Sequence, residues 1–169
     1  YALACLFLGL DSPASCRAVE ERLREAPLAS RADHAAVKLL SEVCALGGDT
    51  SAEQFVERAS AKVLAGELPA ELVCCLHFTW HGATHSDPIR AVTLLSGYPE
   101  ALRPLPCFKE LQVGILDHHA QQAWSADRLD RAEILWQHAL EADPCRVTLA
   151  HNLALVATRQ KARDKYESA

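Results

Sequence analysis

The chain has 169 residues, enough for one domain with a hydrophobic core, and 50% of them are hydrophobic while only 6% are aromatic. The formal net charge of −5 and the lack of a long basic run exclude nucleic acid as the main expected partner. No apolar stretch reaches the roughly 20 residues of a membrane-spanning helix. The apolar segment 1–10 lacks the basic region of a signal peptide, so we interpret it as a buried helix.

Capping residues and helix breakers divide the rest of the first half into five further predicted helices. Their apolar positions recur at the three- and four-residue spacing of an amphipathic helix. The helices begin at capping or proline positions, and they end at a proline, a glycine or the end of the apolar pattern. In chain order the predicted starts and ends are Asp11 to Pro27, Ser30 to Gly47, Thr50 to Gly66, Pro69 to about Trp80, and Asp87 to about Leu95.

A connection rich in proline, residues 98–106, separates this first segment, residues 1–97, from a second one, residues 107–169. The second segment holds three predicted helices. The first runs from Phe108, the second is expected to be capped by Asp127 and to end at Pro144, and the third runs from about Arg146. Eight or nine helices with short connections predict an all-α fold of antiparallel helical hairpins.

A sparse pattern of small, aromatic and proline residues covers residues 113–146. It resembles the tetratricopeptide repeat, a helical hairpin with a period of 34 residues. His119 departs from the family, which has Leu there, and Ala123 stands where Tyr is usual. Residues from Val147 onward restart the pattern, so the resemblance covers about 113–157. The matching positions in the first hairpin are Leu116, Ala120, Ala132, Trp136, Ala139 and Pro144.

The resemblance implies that the hairpins stack as an α–α superhelix. Because such stacks need about three repeats, we expect residues 1–97 to form degenerate repeats of one continuous solenoid. In this family the first helix of each hairpin lines a concave surface that holds a peptide or a partner domain. Carried over to this chain, the groove residues are Asp117, Gln121, Trp124, His151, Asn152 and Leu155.

Two of these residues need comment. Trp124 is the candidate anchor of a bound partner, although it could equally pack against an adjoining helix. Asp117 stands where the chaperone-binding members of the family carry a lysine that clamps a carboxylate. Its negative charge would repel such a ligand, so binding of acidic chaperone tails is not predicted.

Four residues form the best candidate for a metal site: Cys74, His77, His81 and His85. Residues four apart share one face of a helix, and His and Cys are common zinc ligands. However, Gly82 should end the helix before His85, and no second cysteine pair faces the cluster. We therefore predict no metal or other cofactor, and keep zinc at this cluster as an alternative.

No nucleophile motif, phosphate-binding loop or dinucleotide turn is present, so we do not predict an enzyme. The favoured function is a scaffold or adaptor segment that binds protein. The alternatives are a regulatory helical domain of a larger enzyme and a small metal-binding bundle. Seven cysteines at mostly apolar positions favour reduced thiols and an intracellular, cytoplasmic location. The lack of methionine predicts that the chain is part of a longer polypeptide, with a processed mature chain as the alternative.

Overall fold

The computed structural model of the chain describes residues 35–36, 38–39, 51–78 and 87–167. Within these ranges every regular element is a helix and no strand is present, which confirms the predicted all-α class. The helices predicted over residues 1–27 lie outside the described residues. Of the helix predicted after Ser30, the described residues are helical, and Ala36 and Leu39 are fully buried as the amphipathic pattern requires.

Six α-helices and one 3-10 helix follow one another from residue 51 onward. The long helices lie in the second half, where α4 and α6 have 20 and 21 residues. Their bounds are α1 Ser51–Leu64, α2 Ala70–His77, α3 Pro88–Thr93, the 3-10 helix η1 Leu94–Gly97, α4 Pro106–Ser125, α5 Leu129–Ala142 and α6 Val147–Glu167.

Several predicted helix ends are seen in the structure. The Asp87 carboxylate accepts a hydrogen bond from the Ile89 amide at 3.0 Å, which satisfies an N–H group in the first turn of α3. After α1, Gly66 adopts a φ of 70°, which glycine reaches without steric cost. The amide of Glu67 then donates back to the Lys62 carbonyl at 2.9 Å, closing the last turn of the helix.

The prediction that Asp127 caps α5 is wrong. Asp127 has a φ of 58° and belongs to the end of α4. Its amide donates to the Trp124 carbonyl at 3.1 Å, and the next amide, of Arg128, donates to the Ala123 carbonyl at 2.9 Å. This is the Schellman arrangement, with Asp127 in the left-handed conformation that aspartate tolerates better than most residues. Arg128 is the N-cap of α5 and makes no side-chain cap.

Two clusters of buried residues form the core. The first lies among α1, α2, α3, η1 and the start of α4, and it includes the buried aromatic residues Phe55 and Tyr98, which both contact the ring of His77. The second lies among α4, α5 and α6 and is centred on Trp136. Val92 of α3 packs against both clusters, so the two cores are continuous through this residue.

Helices α2, α4 and α6 run in the same direction. In the middle of α2, the Cys74 thiol is within hydrogen-bond reach of Cys107 at the start of α4. At the end of α2, Phe78 packs on Gly114, one or two turns further along α4; a Cβ atom added there would lie 3.6 Å from the Phe78 ring. The later residue of α2 meets the later residue of α4, so the two helices are parallel.

The same holds for α4 and α6. Arg146, directly before α6, pairs with Glu110 near the start of α4. Arg159, in the second half of α6, places its guanidinium 4.8 Å from the ring centroid of Trp124 near the end of α4. Helix α5 connects the two, runs antiparallel to both and packs against both through its buried stripe.

Candidate binding groove between α4 and α6

Ion pairs tie α4 to α6 at both ends. At the first end, Arg146 pairs with Glu110 and also lies 3.3 Å from Asp143. At the other end, Arg159 donates to Asp127 at 2.8 Å. The Glu110 and Asp143 contacts raise the pKa of Arg146, which keeps this cation charged. The two helices are thus tied together at both ends, and the surface between them is the candidate groove.

Asp117 lies on the α4 side of the groove and is half-buried. Its Oδ1 atom accepts a hydrogen bond of 2.7 Å from the indole N–H of Trp136, and its Oδ2 atom accepts one of 2.8 Å from the Gln121 amide. Trp136 is only 3% exposed, so its N–H needs a partner inside the protein. Sequence analysis missed this bond. The signal was a buried tryptophan on the helix that packs against α4, where Asp117 is the one carboxylate after Glu110.

Trp124 is half-buried and contacts residues of both α5 and α6. Its ring centroid lies 6.2 Å from that of Trp136, and the Arg159 guanidinium covers the ring from α6. Both the packing role and the anchor role were open from the sequence. The structure shows that part of the ring packs within the chain, which fixes the orientation of the indole.

The α6 side of the groove carries the other three candidates. His151 is exposed, Asn152 is half-buried, and Leu155 is 45% exposed. Leu155 lies one turn after His151 and one turn before Arg159, so these three side chains share one stripe of α6. The structure therefore places all six predicted groove residues on two adjacent parallel helices.

Two concave surfaces lie outside this groove, one beside it on α4 and one between α1 and η1. A depression of about 490 Å³ borders it on α4 and is lined by His118, Gln121, Gln122, Ser125 and Ala126. A larger cavity, of about 680 Å³, lies between α1 and the η1 turn, with an apolar floor at Val56 and Leu94 and charged residues at its rim.

The candidate zinc ligands are described only in part, since His81 and His85 lie outside the described residues. His77 is fully buried, and its Nδ1 atom lies 3.0 Å from the Tyr98 hydroxyl. Burial, and then the neighbouring Cys107, raise the pKa of the Cys74 thiol, which disfavours the thiolate that a metal needs. Within the described part of the chain no group of three or more His, Cys, Asp or Glu residues could hold a metal ion.

Comparisons of the chain with known protein families, with curated proteins and with solved structures found no match. The resemblance to tetratricopeptide repeats therefore depends on the residues and packing of the chain itself. None of the described helices combines the length and the apolar character that crossing a bilayer requires.

Proposed function

We propose that this chain is a protein-interaction scaffold or adaptor segment whose α4–α6 groove holds a peptide or a partner domain. One observation carries the proposal: α4 and α6 are tied by ion pairs at both ends, and Leu155, one helical turn before the Arg159 that contacts Trp124, is 45% exposed. An exposed aliphatic side chain contributes binding free energy when a partner covers it.

The spacing of the contacts supports a repeat architecture. Residues that meet on successive parallel helices are separated by 33 to 36 positions, close to the 34-residue period of the tetratricopeptide repeat. In this reading α2 pairs with α3 and η1, α4 pairs with α5, and α6 is the first helix of a third unit. The four contacts are Cys74 with Cys107, Phe78 with Gly114, Glu110 with Arg146, and Trp124 with Arg159.

The packing inside the α4–α5 hairpin supports the same assignment. Small residues at the crossing let the helix axes approach, and Ala120, Ala132 and Ala139 are all fully buried. Trp136 fills the space beside them. The superhelix proposed here would extend through all eight or nine helices expected from the sequence.

The geometry of the groove also favours binding energetically. Its residues sit on helices that are already packed and paired, so a partner does not have to order them. The Trp124 ring is held by Arg159 and by its neighbour Trp136, which reduces the side-chain entropy lost on binding.

A peptide array tests the proposal. The labelled full chain is incubated with immobilised dodecapeptides of varied sequence, and binding is compared for the unaltered chain, Leu155→Gln and Ile134→Gln. Ile134 is a matched control, because it is 53% exposed on α5 and is not among the groove residues. Both changes replace an exposed aliphatic side chain by a neutral polar one.

We expect a set of peptides whose affinity falls about tenfold or more with Leu155→Gln and is unchanged with Ile134→Gln, since burying an aliphatic side chain is worth about 1.5–3 kcal/mol. Circular dichroism confirms that both variants stay folded. If no peptide binds, or if both variants weaken binding equally, the groove is not the binding site.

A further inference from the structure

The cations that border the α4–α6 groove already have acidic partners. Arg146 contacts Glu110 and Asp143, and Arg159 contacts Asp127. These ion pairs lie at the two ends of the groove, and in each of them carboxylates compensate the arginine charge. Neither arginine is therefore well placed to attract an acidic ligand.

Asp117, in the middle of the groove, is different. Its two hydrogen bonds come from an indole N–H and a side-chain amide, which are both neutral donors. Neither donor carries a charge, and no ion pair among the described residues compensates this carboxylate. A carboxylate offers about four acceptor positions, and the two donors use only two of them.

The energetics follow from this charge. Because Asp117 is half-buried, a peptide that covers the groove removes water from the carboxylate. An apolar or acidic peptide would remove this water without providing a compensating contact, which costs binding free energy. A cationic side chain instead forms a charge-assisted hydrogen bond to the carboxylate, which is stronger than a bond between neutral groups.

We propose that the α4–α6 groove selects peptides with a lysine or arginine that pairs with Asp117 and a nearby aliphatic residue that contacts Leu155. This inference rests on the proposed function and names the chemical class of the partner. The Asp117 carboxylate provides the selectivity for charge, and Leu155 provides apolar contact area.

The test uses the array peptides whose binding depends on Leu155. Each one that contains Lys or Arg is resynthesised with norleucine at that position and, separately, with Glu. All affinities are measured in one buffer at about pH 8. The protein variants are Asp117→Asn and, as a matched control, Glu100→Gln.

Asparagine removes the charge and keeps an oxygen that can accept the Trp136 N–H. Its NH2 group replaces the oxygen bonded to Gln121, whose exposed side-chain amide can rotate to accept instead. Glu100 is an exposed carboxylate in the turn that precedes α4, on no part of the groove. Comparing the two variants separates the local effect of Asp117 from the effect of overall net charge. The norleucine peptides test the same point on the unaltered chain and require no variant.

We expect Leu155-dependent peptides to be enriched in Lys and Arg. Norleucine in the peptide, or Asp117→Asn in the protein, should each weaken binding about tenfold, and Glu100→Gln should leave it unchanged. Leu155-dependent peptides that are neutral or acidic, or that bind Asp117→Asn as tightly as the unaltered chain, would overturn this inference and leave the groove itself supported. Absence of any Leu155-dependent peptide would overturn both.

Discussion

The indole N–H of Trp136 donates a hydrogen bond of 2.7 Å to Asp117 Oδ1, across the contact between α5 and α4. The bond joins the second core cluster to the groove surface, because Trp136 is 3% exposed while Asp117 is half-buried. One carboxylate thus has two roles: it satisfies a buried donor and it places a negative charge in the groove.

Removing this acceptor should destabilise the protein. Asp117→Ala leaves the Trp136 N–H buried without its partner, and we expect a loss of about 1–3 kcal/mol in the free energy of unfolding. Asp117→Asn retains an acceptor and should lose clearly less. Urea denaturation measures both. Equal stability of the alanine variant and the unaltered chain would show that the bond does not matter for folding.

The repeat architecture predicts a contrast between two alanines 34 positions apart. Ala120 is fully buried at the α4–α5 crossing, whereas Ala154, at the matching position of α6, is exposed. Ala120→Leu should overpack the crossing and cost about 1–3 kcal/mol. Ala154→Leu should change stability by less than about 0.5 kcal/mol, since leucine is also a good helix former. Thermal melts of the two variants, compared side by side, measure the contrast.

Tyr98 should make the protein sensitive to alkali. The residue is 1% exposed and its hydroxyl lies 3.0 Å from His77 Nδ1. Burial, with a smaller contribution from Cys74, raises the pKa of Tyr98 above its usual range. The folded state therefore holds the phenol proton more tightly than the unfolded state. This contribution to stability is complete below about pH 10 and is lost as the pH rises further.

Tyr98→Phe tests this reasoning. The variant loses a buried hydrogen bond and should be less stable at neutral pH, but its stability should fall less steeply above about pH 10. Urea denaturation at about pH 8 and about pH 11 gives the two differences. A constant gap between the proteins across this range would mean that Tyr98 does not titrate with unfolding.

Asp143 should stabilise the folded protein at neutral pH and lose this effect in acid. Its carboxylate lies 3.2 Å from Lys109 Nζ and 3.3 Å from Arg146 Nε. The Lys109 contact, with help from Arg146, lowers the pKa of Asp143. A lowered pKa stabilises the folded state above the ordinary aspartate pKa of about 4, and this contribution disappears as the pH falls through the lowered value.

The matching experiment compares Asp143→Asn with the unaltered chain at about pH 7 and about pH 3. The variant should be the less stable protein at the higher pH, and the difference should shrink at the lower pH. A difference that grows on acidification would contradict the assigned direction of the pKa shift.

The helical class and the buried stripes could be predicted because they depend on local patterns. The spacing of Ala132, Trp136 and Ala139 specifies one face of α5, and all three are buried. The left-handed Gly66 and the cap at Asp87 are signals carried by single residue types. Each of these features is determined by a few residues that are close together in the sequence.

Other features could not be predicted because they depend on partners distant in sequence. Asp127 looks like an N-cap, and only the hydrogen bonds of the completed turn show that it ends α4 instead. Periodicity shows which side of a helix is polar but does not identify the residue that it meets. The pairing of Trp136 with Asp117, 19 positions apart, therefore required the structure.

The most direct test of the central claim is the position of a bound peptide on the chain. A photo-crosslinking amino acid, p-benzoylphenylalanine, is placed at Leu155 or at Ile134, and the strongest array peptide is crosslinked and mapped by mass spectrometry. We predict peptide crosslinks from position 155 and none from position 134. Crosslinks from position 134 alone, or equal yields from both positions, would contradict the assignment of the α4–α6 groove as the binding surface.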